Sequence, residues 1–247
     1  MSEIRFSFEE MNREVLDFYG FAKPFLDPSA EGCLTGFAAK LSTIRTKGAF
    51  TNATVAQRNR NYPWAITGNH PLLTKPSRSY EKGKKQKGRE VVGRLTAIWE
   101  ITPDPKQNIH DVPKQMRLTG NASVLVEWID AASHKTLGQW NVDVADIEAP
   151  GCMFHAQFPS GIPVPRLPIM AFTPMAVAEH VLGELFQDEW EKHSLGQSAH
   201  MESWASIQNK RLTRLLSWHR EILEGCTYPP WTALKKERIP EDRFVKT

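Results

Sequence analysis

His155 and Asp143 are the two residues whose types suit general base chemistry: an imidazole that titrates near neutrality and a carboxylate able to orient it. His155 lies in GCMFHAQFPSGIPVPRLP, residues 151–168. Read with period two, Cys152, Phe154, Ala156 and Phe158 take one side of a strand, and Met153, His155 and Gln157 the other. With a turn near Ala149 and Pro150, the last two strands set Asp143 opposite or diagonal to His155 or Gln157, within side-chain reach. Such a pair needs a nucleophile or a metal. Ser160 and Thr119 offer hydroxyls, but no GxSxG elbow is present. One expectation is therefore a hydrolase-like enzyme with His155 as general base, Asp143 orienting it, and Arg94 or Arg117 stabilising negative charge. Its plainer counterpart is a solvated sheet face with cross-strand hydrogen bonds, the commoner arrangement.

A second chemistry is carried by charge. Between Lys75 and Arg94 stand Lys82, Lys84, Lys85, Lys87, Arg78 and Arg89, against only Glu81 and Glu90. That local excess suits phosphate groups or an acidic protein, and binding of this kind weakens with added salt. Gly83 and Gly88 have the spacing of a phosphate-binding loop, but Arg89 and Glu90 stand where Lys and Ser or Thr are required. Farther along, Lys210, Arg214 and Trp218 recur every four residues, with Arg211 beside them, a surface that could hold phosphate and stack a base. The leading expectation is a non-enzymatic binding or assembly subunit. It would contact an acidic partner such as nucleic acid through Lys82, Lys84, Lys85, Lys87, Arg89, Lys210, Arg211 and Arg214. A third expectation is a purely structural interaction subunit that meets a protein partner through the tail, at Tyr228, Pro229, Pro230 and Trp231.

Composition narrows these readings. The chain has 247 residues, 40% hydrophobic and 24% charged, with a net charge of +3: the balance of a globular protein, not of one that neutralises phosphates over its whole surface. Cys33, Cys152 and Cys226 lie far apart, with no CxxC spacing and no clustered histidines, so neither disulfides, a metal nor a cofactor is expected. The start, MSEIRFSFEE, lacks a basic segment followed by an apolar one, and the longest apolar run is short and contains Pro168 and Pro174. The expectation is a soluble, cytoplasmic protein with no membrane contact.

The elements that must position these residues follow from periodicity. Ser7 and Glu10 form a capping box before Phe8, Met11, Val15, Phe18 and Tyr19 at helical spacing. Thr173 caps and Pro174 opens a later helix, and a further one begins near Ser198 and ends at Gly225. Between lie four strand-like stretches, residues 90–102, 116–130, 139–147 and 152–158, whose short connections favour antiparallel pairing. The expected fold is α+β: an antiparallel four-stranded meander with helices before and after it packed on one face. As one domain over 1–247 it divides into a helical front (1–68), a basic mobile loop (69–89), the sheet (90–158), a helical pair (173–226) and an extended tail (227–247). This order, with its Pro-rich segment after the last strand, resembles the ubiquitin-conjugating fold in topology. That family places its catalytic cysteine after the Pro-containing stretch, whereas here the next cysteine is Cys226, so the resemblance implies no conjugating activity.

Overall fold

The Ser7 hydroxyl oxygen accepts from the Glu10 N–H at 3.3 Å, and the helix it caps, α1, runs Phe8–Ala22. A computed structural model of the chain describes residues 4–47, 60–78, 88–104, 113–144, 153–158, 167–171, 173–240 and 243–244. A 3-10 turn over Lys23–Phe25, with its proline early, stops α1. The second helix, α2, spans Ala30–Lys47. Phe37 on α2 stacks on Trp64 at 4.0 Å, and the Trp64 indole N–H donates to the Phe37 carbonyl at 2.8 Å, satisfying the one polar atom of a buried ring.

Among the described residues the fold is α+β, with eight strands in a mostly antiparallel sheet and six helices. The long central strands are β4 (Val91–Pro103) and β5 (Gln115–Asp130). On its outer side β4 pairs with β2 (Tyr62–Ile66) and then β3 (Leu72–Leu73). On the other side of β5 lie β1 (Arg5–Ser7), which pairs with its first half, and β6 (Thr136–Val144), which pairs with its second. Two further strands, β7 (Phe154–Gln157) and β8 (Leu167–Pro168), continue the sheet outward.

The sheet therefore has twice the number of strands expected from the sequence and is six strands across, β1 and β3 pairing off that path with β5 and β4. The missing strands, β1, β2, β3 and β8, are two to five residues long, too short to show alternation, and Pro63 inside β2 argues against a strand except at an edge. Alternation along β4, β5 and β6 predicts one apolar face, and of it Val91, Leu95, Ala97, Trp99, Leu118, Ala122, Val124, Val126, Trp140 and Val142 belong to one core, while Trp128 and Val144 are partly buried against it.

The carboxyl part holds four helices: α3 (Pro174–Phe186), α4 (Asp188–Ser194), α5 (Ala199–Glu224) and α6 (Pro230–Lys236). The expected Thr173 cap forms, and Ser198, where a further helix was expected to begin, caps α5 in the same way, each hydroxyl oxygen accepting a backbone N–H at 3.2 Å. The break after α3 was unforeseen, because it is made by Gln187 at a φ of 43°, a conformation that residue type does not announce. The tail is not simply extended: α6 begins on Pro230, and Phe244 is fully buried against Phe6. No helix among the described residues is long and apolar enough to cross a membrane.

The β5–β6 turn carries a pH dependence of its own. Asp130 Oδ1 accepts from the N–H groups of Ala132 and Ser133 and from the Ser133 hydroxyl at 2.8–3.1 Å. Bonding to the Ser133 N–H leads in holding this carboxyl below the usual aspartate range, against a smaller opposing push from burial. A depressed folded-state pKa stabilises the fold fully above the ordinary aspartate value of about 3.9, and that stability is lost as pH falls through the depressed value. Asp130→Asn keeps the acceptor and removes the charge, so the urea-midpoint gap between wild type and variant is expected to be constant near neutrality and to close in acid. An equal gap at both ends of that range would show that the charge contributes nothing.

Candidate functional site

The register sets Asp143 directly opposite His155 across β6 and β7. His155 nevertheless departs from the solvated position expected of it, being only 1% exposed. It is internal to the sheet, paired with β6 on one side and with Pro168 of β8 on the other. Its Nε2 lies 2.8 Å from the Gln157 amide nitrogen. With the amide as donor, Nε2 accepts and the ring proton sits on Nδ1. Of the neighbours assigned to the core beside it, Phe154 and Ala156 are buried but Phe158 is exposed, and Cys152 lies outside the described residues.

The basic residues do not come together as one surface among the described residues. Lys82, Lys84, Lys85 and Lys87 lie outside them. The flanking arginines each face a carboxylate: Arg78 lies 3.3 Å from Glu90, Arg89 3.8 Å from Asp130 and Arg94 3.1 Å from Glu127. On α5, Lys210 is exposed and Arg214 half-buried, while Trp218 is buried. Arg211 corrects the expectation outright, since it is 2% exposed and belongs to the interior.

That interior position has a partner. Glu14 of α1 is fully buried, and its Oε2 receives a hydrogen bond from Arg211 Nη1. Its Oε1 accepts from the Thr173 hydroxyl at 2.5 Å and from the Gln208 amide at 3.0 Å. Arg211 also directs Nη2 at the Met11 sulfur, 3.1 Å away, and lays its guanidinium over the Phe6 ring at 5.8 Å. Its Nε has no hydrogen-bond partner among the described residues. Helical spacing explains the meeting. Met11, Glu14, Val15 and Phe18 form the buried stripe of α1, and Trp204, Gln208, Arg211, Leu215 and Trp218 that of α5. An acid on one apolar stripe and a base on another are each too costly to bury alone.

Above this network opens a cleft of about 740 Å³. α3 contributes Ala176, Glu179, His180 and Gly183, recurring on one face, and α5 contributes Gln208, Arg211, Leu212 and Leu216. The strand-end segment from Pro168 to Ala171 and the Trp190 ring of α4 close its sides, and Thr173 and Arg211 line it as well. Burial pushes the Glu179 carboxyl above the ordinary glutamate range, and the Glu14 charge adds to this while the Trp204 indole N–H, donating to Glu179, opposes it. A smaller apolar cleft of about 280 Å³ lies across the same 168–170 segment, walled by Phe154, Trp218, Leu234 and the exposed Trp231. Among the described residues no group of three or more histidines, cysteines or acids is placed to hold a metal ion.

The Cys33 thiol is pushed up to about 11 by burial, which leaves it un-ionised at neutral pH. No family model matches the chain, and neither a curated protein nor a solved structure does. The cleft itself was not foreseen, because its walls come from segments far apart in sequence. Its floor had a readable signal in Glu14 and Arg211, charged residues standing at apolar positions of their helices.

Proposed function

We propose that the chain is a binding protein whose ligand site is the cleft between α3 and α5. What carries this reading is the cleft's combination of size and lining. At about 740 Å³ it falls in the range of small-molecule sites, and its lining combines Ile169, Met170, Ala176, Trp190, Leu212 and Leu216 with a few polar groups. Burial of His155 weighs against general base catalysis from the sheet face. Contact with an acidic partner such as nucleic acid through the lysine run is a second proposal, supported by the excess of lysine in the sequence.

One experiment separates the two. Met170 lines the cleft and is 40% exposed, so its labelled methyl group reports occupancy by NMR. A neutral eight-carbon alcohol, octanol, is expected to shift the Met170 methyl signal saturably, equally at low and high salt, and the Ala176→Phe variant, which fills the cleft, is expected to abolish the shift. No saturable shift at Met170 would remove the cleft as a ligand site. Binding of a DNA oligonucleotide that falls steeply with salt would establish the second proposal instead.

A further inference from the structure

Resting on the reading of the cleft as a binding site, we propose that its ligand is an organic cation, an ammonium group carried on an aliphatic or aromatic body, and that Glu179 is the residue that receives the charge. The charges around the cleft decide the sign. Glu179 and Glu184 are its acidic lining residues, and His180 is the remaining titratable group that α3 brings. The one cation in the lining, Arg211, is already matched by Glu14 beneath it, so that pair adds no net charge to the cleft. Trp190 of α4 brings a π face and no charge. The sum is a largely apolar concavity whose lining carries an excess of acidic groups, complementary to a hydrophobic amine and repellent to a hydrophobic acid.

Glu179 differs from an ordinary surface acid in being half-buried with no ion pair among the described residues. Burial disfavours its ionised form, and the only opposing bond comes from the neutral Trp204 indole. An ammonium ion supplies the missing charge. The bound state pairs a Glu179 carboxylate with an ammonium, so in acid, where the carboxyl holds a proton, that proton goes to solvent on binding while the ligand keeps its own. Glu14 of α1 acts on Glu179 from below, and the other titratable or charged residues lining the cleft are Arg211 from α5 and His180 and Glu184 from its own helix. Because His180 and Glu184 share the lining, the contribution of Glu179 is isolated by comparison with Glu179→Gln.

The test uses three probes of equal chain length, octylammonium, octanol and octanoate, followed at the Met170 methyl signal in the full chain. Octylammonium is expected to bind about tenfold more tightly than octanol, as a charge-assisted hydrogen bond would give, and octanoate more weakly than either. Raising the pH from acid to neutral is expected to tighten octylammonium binding while octanol binding stays level. Glu179→Gln is expected to remove most of the preference for the amine and most of its pH dependence. Octanol binding with no preference for the amine, or a preference that survives in Glu179→Gln, would overturn the proposal while leaving the cleft as a ligand site. If none of the three probes reaches Met170, the cleft reading fails and this inference falls with it.

Discussion

Glu14→Gln is expected to cost about 3–5 kcal/mol of folding stability, read from the urea midpoint at unchanged slope. The variant keeps the shape of the side chain and one acceptor oxygen, so the loss comes from charge. Arg211 would be left 2% exposed with no carboxylate, and Thr173 and Gln208 would compete with it for a single oxygen. Against a typical total of about 5–15 kcal/mol, this brings the protein close to unfolding at ambient temperature. The double variant Glu14→Leu with Arg211→Met removes both charges and is expected to fall well short of that cost. It does not reach zero, because Thr173 and Gln208 lose their acceptor. A single-variant cost below about 1 kcal/mol would show that solvent reaches Arg211 and that the pair is not sealed.

Phe244→Ala is expected to cost about 3–5 kcal/mol, the range for removing a buried aromatic ring. Phe244 is 0% exposed and stacks on Phe6 at 5.7 Å with the rings 2° from parallel. Phe6 in turn leans on Trp99 at 5.4 Å, and Phe154 stands 6.5 Å from Phe244. The neighbouring ion pair, Arg243 to Glu221 at 2.6 Å, involves a half-exposed carboxylate and is expected to contribute under about 1 kcal/mol. Thermal unfolding of Phe244→Ala beside Glu221→Ala tells the two anchors apart. If Phe244→Ala melts with the wild type, the tail is not held by its ring.

Where the sequence could be read, local chemistry was sufficient. Ser7, Thr173 and Ser198 each cap the helix they precede because a hydroxyl has one good use at that position. Alternation placed the apolar face of β4, β5 and β6 because those strands are long enough for a period of two to repeat. It failed for β3 and β8, two residues each, which exist only because a longer neighbour offers them a ladder. His155 shows the same limit in another form. Parity assigned it to the polar face, but a period of two carries no information on how far that face is covered, and the residue is 1% exposed. On α5, grouping Lys210, Arg214 and Trp218 by a spacing of four hid the true stripe, which alternates steps of four and three through Trp204, Gln208, Arg211, Leu215 and Trp218. A charged residue on that stripe called for an opposite charge on another, and Glu14 was there to be found. Pro230 likewise stood at the first position of α6, where a helix start is most easily missed within a Pro-Pro step.

Thr173 does two jobs with one hydroxyl. Its oxygen accepts the Ala176 N–H at the start of α3, and its proton goes to Glu14 on α1, which is itself held by Gln208 and Arg211 on α5. Neither the first turn of α3 nor the middle of α1 or α5 can leave without breaking bonds that belong to the other two. The three helices are therefore expected to open as one cooperative unit, with amides that exchange with solvent together, although the residues that lock it stand at positions 14, 173 and 211. A ligand seated against that unit from the cleft would hold closed, in a single act, segments drawn from both ends of the described chain.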